Sequence, residues 1–202
     1  MLILASASPR RKELLSLLVR EFEVLPADID ETPKSQESAN DYVVRMAIEK
    51  AQAAAEKYKQ QSNANVSAIF IASDTSVIVD GQILGKPSSL EDSQSMLRLL
   101  SGRSHQVVTS LCFFNVKNAH LATKLVISDV LFRAISNVEI EQYWKTGEPQ
   151  DKAGSYAIQG LGSVFVQSMS GSYSAVVGLP LYETAQLLAQ FGIHSLEDMS
   201  HE

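Results

Sequence analysis

This chain has little of what disulfides, metal clusters or membranes demand. One cysteine, Cys112, occurs in 202 residues, so no intramolecular disulfide can form. Its place in the apolar run SLCFFNV reads as a buried, inert thiol ahead of a catalytic one. A reducing cytoplasm fits that usage. Four histidines, His105, His120, His194 and His201, are scattered without zinc-ligand spacing and read as structural or solvent-exposed. No apolar run approaches the roughly 20 residues of a membrane span. The opening MLILASA imitates a cleavage site, yet it has no basic stretch before it and falls short of the roughly 7–15 apolar residues of a secretion signal. Neither a G-x-x-x-x-G-K-[ST] phosphate loop nor a G-x-G-x-x-G fingerprint is present, and SGSYS at 170–174 is not a G-x-S-x-G nucleophile elbow. Net positive charge is missing as well. A balance of −6 and a pI near 5.3 argue against a protein that coats nucleic acid, so any basic site is local.

The remainder is ordinary globular material, 45% hydrophobic and 20% charged, long enough for one domain with a sizeable core. Leu2 to Ala5 reads as a buried strand. Ser8 then caps a helix with Pro9 at its first position and Leu14, Leu15 and Leu18 on its apolar side. EFEVL at 21–25 reads as a strand, and Ser38 to about Lys57, with Val43, Met46, Ala47 and Lys50 at helical spacing, as the longest helix. QQSNAN at 60–65 reads as a loop and AIFIA at 68–72 as a strand. SVIVDGQIL carries Asp80-Gly81 between two apolar runs, a hairpin signal. A helix at 90–100 stopping near Gly102, β segments at 105–115 and 120–133, a helix at NVEIEQYWK and a last one opened by Pro180 complete the pattern. Tyr143 and Trp144 read as packing. The tail from about 195 to 202 is expected to fray. Interleaving of this kind predicts a single α/β domain over 1–202, its sheet mixed, partly antiparallel and flanked by helices, with a ligand cleft.

Chemistry gathers at a few places. The first turn of a helix already carries partial positive charge, so arginines there are out of place unless an anion compensates them. ASASPRR sets Arg10 and Arg11 at such a turn, where free N–H groups and two guanidiniums would suit phosphate. Solvated arginines paired with acids such as Glu13 are the competing reading. ASDT sets Asp74 directly after the apolar strand, either as a metal ligand or proton acceptor or as a turn residue closing that strand. DIDE supplies Asp28, Asp30 and Glu31, and GKP supplies Lys86. Oxygen ligands for Mg²⁺ or Mn²⁺ together with local cations are what metal-assisted chemistry on a polyphosphate needs.

SASPRRKELL, ASDT with GKP, DKAGSYAIQG at 151–160 and GSYSAVVGLPLYET at 171–184, in that order, resemble the Maf family of nucleoside triphosphate pyrophosphatases over nearly the whole chain. The resemblance implies a mixed α/β fold with a cleft, a divalent cation, and hydrolysis between the α and β phosphates. It implies Asp74 as proton acceptor and Ser8, Arg11, Glu31, Lys50 and Lys86 as polar site residues. On that basis Ser8, Arg10, Arg11, Lys50 and Lys86 are expected to bind phosphates, and Asp74 and Glu31 to hold metal, with the division of ligation and deprotonation between the two acids left open. Arg10, Thr75 and Gln159 match the branch acting on dTTP and UTP; the branch acting on 7-methyl-GTP has Trp, Gln and Glu there. A Gln amide suits uracil's N3–H and carbonyl edge, whereas a cationic base favours a carboxylate and an aromatic face. Ala7, Ser73 and Ala157 depart from the commonest motif residues. The expected partner is a nucleoside triphosphate, modified uridine triphosphates included, without nucleic-acid polymer or membrane; a homodimer is compatible. The alternatives are pyrophosphatase action on 7-methyl-GTP or another noncanonical nucleotide, and a nucleotide-sensing interaction role in cell division.

Overall fold

The computed structural model describes residues 1–62 and 67–196. A seven-stranded mixed sheet organises the chain. It comprises β1 (Leu2–Leu4), β2 (Glu23–Val24), β3 (Ile69–Val79), β4 (Gln82–Leu84), β5 (Ser104–Asn115), β6 (His120–Phe132) and β7 (Val166–Ser170). Its order is β2-β1-β3-β5-β6-β7, with β4 paired to β3 off that path. β1 lies parallel to both β2 and β3, while β3/β4 and β6/β7 are antiparallel. Among the described residues it is accompanied by the α-helices α1 (Pro9–Ser16), α2 (Ala39–Ser62), α3 (Leu90–Leu100), α4 (Asn137–Lys145), α5 (Tyr173–Val177) and α6 (Leu181–Gln190).

The chain divides into two compact units, one of residues 1–74, 109–126 and 178–202, the other of 75–108 and 127–177. In the first, strand alternation builds two cores. Leu2, Leu4 and Ile71 join Leu15, Val19, Leu111, Leu187 and Leu188, while Ile3, Ala5, Phe70 and Ala72 join Cys112 and α2, as expected where successive side chains point to opposite faces. Ala47, Ala51, Ala54 and Ala55 of α2 are wholly buried; side chains this small let the helix backbone approach the strands closely. Cys112 is buried as expected, and burial pushes its thiol up to about 12, so it is inert.

The second unit is built around Val77, Val79, Leu97, Val107, Phe132, Ile140 and Phe165. The Asp80-Gly81 hairpin forms, with Val79 opposite Gln82 and φ of 52° and 75° at the two turn residues, the left-handed pair that such a tight turn requires. α4 begins with a reciprocal capping box between Ser136 and Glu139. His105 is buried here, its Nε2 2.8 Å from the Tyr156 hydroxyl. Burial lowers its pKa from 6.5 to about 4, so the folded protein binds fewer protons than the unfolded chain between those values. His105 therefore contributes full stability above the unfolded pKa, and that contribution is lost as pH falls toward 4. Urea unfolding is expected to show wild type losing about 2 kcal/mol more than His105→Gln between about pH 7 and pH 4.5; parallel pH profiles would refute this.

Several elements differ from the sequence expectation. β3 does not end at Ala72: it runs on to Val79, 11 residues in all, with Asp74 inside it. Ser and Asp suggest a turn only by local preference, and here their polar groups have partners that let the strand continue. β2 shrinks to two residues. α2 continues through Gln60 and Gln61 to Ser62, and Asn63, Ala64 and Asn65 of the expected loop lie outside the described residues. β7 and α5 are additions, short segments without a readable period. Of the expected tail, Ser195 is buried and Leu196 exposed, while 197–202, including His201, lie outside the described residues. Among the described residues no helix is long and apolar enough to cross a membrane.

Candidate active site

The site residues of the first unit converge because three elements each place one polar group against the end of a buried surface. On α2, Met46 and Ala47 are buried, and Lys50 follows them at helical spacing, so its stem runs along the apolar side while its ammonium emerges at the edge. That ammonium lies 2.7 Å from Asp74 Oδ1 and 2.7 Å from Glu31 Oε1. Asp74 is buried, at 8% exposure, whereas the Glu31 side chain keeps 55% of its surface. Two carboxylates from distant parts of the chain thus converge on one cation.

The loop carrying Glu31 is tied to α2. The Tyr42 hydroxyl donates to the Glu31 carbonyl at 3.0 Å; burial, then the charges of Asp74 and Glu31, push this phenol up to about 12. Arg45 donates to both oxygens of Glu37 at 2.6 and 2.7 Å and to the Thr32 carbonyl at 3.1 Å, and its guanidinium holds Glu37 down at about 2. Asp30 accepts the Thr32 N–H at 2.9 Å and is therefore a turn residue, while Asp28 is exposed.

At the start of α1, Ser8 caps the helix with Pro9 in its first turn, and no acidic residue occupies that turn. Arg11 is half-buried and points back into the unit. Its Nε donates to the Gly178 carbonyl at 3.0 Å and its Nη1 to Ser6 Oγ at 3.3 Å. Burial lowers its pKa, opposed chiefly by the charge of Asp74. The Gly178 carbonyl also accepts from Ser73 Oγ at 2.9 Å, so β3, α1 and the segment before α6 share one oxygen. Arg10 follows Pro9 in the helix and is half-exposed.

The structure thus brings Arg11, Glu31, Lys50 and Asp74 into one unit with Ser8 and Arg10. Thr75, Lys86 and Gln159 belong to the second unit, where Lys86 and Gln159 are exposed and Thr75 is half-buried. Ser6, Ser73 and the Gly178 carbonyl are site groups that the sequence reading passes over. All three lie within the motifs SASPRRKELL, ASDT and GSYSAVVGLPLYET, and the two serines also stand at the end of buried runs, LILAS and IFIAS. Among the described residues no group of three or more His, Cys, Asp or Glu side chains is placed to hold a metal.

Comparison with known proteins decides what this arrangement belongs to. The sequence model of the Maf-like protein family matches residues 1–191. The chain belongs to the Maf family. A dTTP/UTP pyrophosphatase of Vibrio parahaemolyticus is 50% identical over 190 residues, 94% of this chain and 96% of that protein. One from Colwellia psychrerythraea is 50% identical over 95% of this chain and 88% of its own length. One from Hahella chejuensis is 47% identical over 98% and 95%. These alignments run through both units of the Maf chain, so the likeness is not confined to the Lys50 cluster.

Proposed function

We propose that this Maf protein hydrolyses dTTP and UTP to the nucleoside monophosphate and pyrophosphate, removing nucleotides from the cytoplasmic pool. The observation that carries the reading is the pair of carboxylates, Asp74 and Glu31, held 2.7 Å from one ammonium in the unit that also holds a cationic helix start. Full-length relatives named dTTP/UTP pyrophosphatase support it.

In this reading Arg10, Arg11 and the Ser8 helix start hold phosphate oxygens, and Lys50 and Lys86 offset the remaining charge. Asp74 meets Lys50 through Oδ1, and its carboxylate takes the proton of the attacking water as the bond between the α and β phosphates breaks and pyrophosphate leaves. The donor set suits Mg²⁺ or Mn²⁺. Both acids offer hard oxygen ligands that already converge on a cation, and two carboxylates completed by substrate phosphates are a common arrangement for Mg²⁺. Asp74 and Glu31 would hold that ion, which would supply charge neutralisation on the polyphosphate. Arg10, Thr75 and Gln159 select the base, with the Gln159 amide accepting from uracil or thymine N3–H and donating to a ring carbonyl.

The test is pyrophosphate release from a panel of nucleoside triphosphates with Mg²⁺ or Mn²⁺. UTP and dTTP are expected to give the highest kcat/KM. Preference for 7-methyl-GTP, or no release from any member of the panel, would overturn the reading.

A further inference from the structure

Gln159 stands at the tip of an exposed turn, and its side chain makes no hydrogen bond among the described residues. The backbone around it is far from loose. Tyr143, buried on α4, accepts the Ala157 N–H at 3.1 Å with its phenolic oxygen and donates to Glu148 Oε1 at 2.7 Å. Glu148 then accepts the Leu161 N–H with Oε2 and the Gly162 N–H with Oε1, both at 2.9 Å. Burial would raise the Glu148 pKa, but these hydrogen bonds outweigh it and hold the carboxylate below its usual range. Gly160 leaves room for this contact: its φ of 167° is open to any residue, but an added Cβ would meet Glu148 Oε2 at 2.5 Å and push the carboxylate aside.

Two side chains thus grip the backbone on both sides of Gln159 while its amide is left open to solvent. Ala157 and Gly162 are buried and need partners from the protein, but Leu161 is exposed and water could satisfy its N–H, yet Glu148 takes it as well. Fixing the backbone beneath the reading group meets the backbone share of the ordering cost before the ligand arrives. We propose that Glu148 and Tyr143 are positioning residues for base choice, holding residues 157–162 so that the Gln159 amide is presented to the pyrimidine edge from one backbone position. This rests on the reading of Gln159 as the residue that selects uracil and thymine.

The experiment compares kcat/KM for UTP and CTP in wild type, Glu148→Gln, Tyr143→Phe, Gln159→Ala and the double variant Glu148→Gln/Gln159→Ala, with a melting temperature for each. Cytosine lacks the N3–H and presents an amino group in place of a carbonyl, so the ratio reports how well the amide reads that edge. Glu148→Gln and Tyr143→Phe are each expected to lower the UTP-to-CTP ratio about tenfold, and in the Gln159→Ala background Glu148→Gln is expected to change it no further. An unchanged ratio in well-folded Glu148→Gln, or additive effects in the double variant, overturns the proposal. If Glu148→Gln does not fold, Gly160→Ala, which displaces the carboxylate with one methyl, probes the same contact and is held to the same tenfold fall. Wild type inactive on UTP and dTTP is a different result: it refutes the functional reading itself.

Discussion

Asp74→Asn is expected to fold and to lose turnover by about 10²-fold or more, because the amide keeps the size of the carboxylate but can neither take a proton nor ligate a cation as a charged oxygen. The local structure tolerates the change. Lys50 keeps Glu31 at 2.7 Å, and the strand around residue 74 is held independently by the bond from Ser73 Oγ to the Gly178 carbonyl. Steady-state kinetics with UTP and dTTP, beside thermal unfolding, separates chemistry from folding. Near-normal kcat in a protein of unchanged melting temperature would remove Asp74 from the mechanism.

Lys50→Met is expected to damage both stability and activity. Met fills the space of the Lys50 stem along Met46 and Ala47 but withdraws the charge, leaving Asp74 buried at 8% exposure beside Glu31 with no ammonium between them. A fully buried pair broken this way costs several kcal/mol; because the Glu31 side chain is 55% exposed, about 1–3 kcal/mol is expected. With only Arg11 of the nearby cations left to offset them, the two carboxylates should then favour a divalent cation more than they do in wild type. Mg²⁺ or Mn²⁺ alone is therefore expected to raise the melting temperature of Lys50→Met more than that of wild type. Equal shifts in the two proteins would show that Glu31 and Asp74 do not hold the ion.

Most of the elements are legible in the residues alone, because their signals are local. Ser8-Pro9 marks the start of α1 without any tertiary contact, Asp80-Gly81 marks the hairpin through its left-handed backbone, and the spacing of Val43, Met46, Ala47 and Lys50 marks both α2 and the side of α2 on which Lys50 lies. Motif order likewise discloses the Maf resemblance, with Glu31, Lys50 and Asp74 as separate candidates. The length of β3 is settled elsewhere. Nothing within ASDTS says that Ser73 will find a carbonyl 105 residues away or that Asp74 will find Lys50 24 residues back, and without those partners the segment reads as a strand end. The opening arginines divide along the same line. The residues alone show that Arg11 is misplaced at a helix start, but only the folded unit supplies the Gly178 carbonyl and Ser6 hydroxyl that aim it inward. The grip of Tyr143 and Glu148 on the Gln159 turn is also tertiary in origin. Its donors are backbone N–H groups, which every residue but proline carries alike, so no residue type could announce them before the chain had folded.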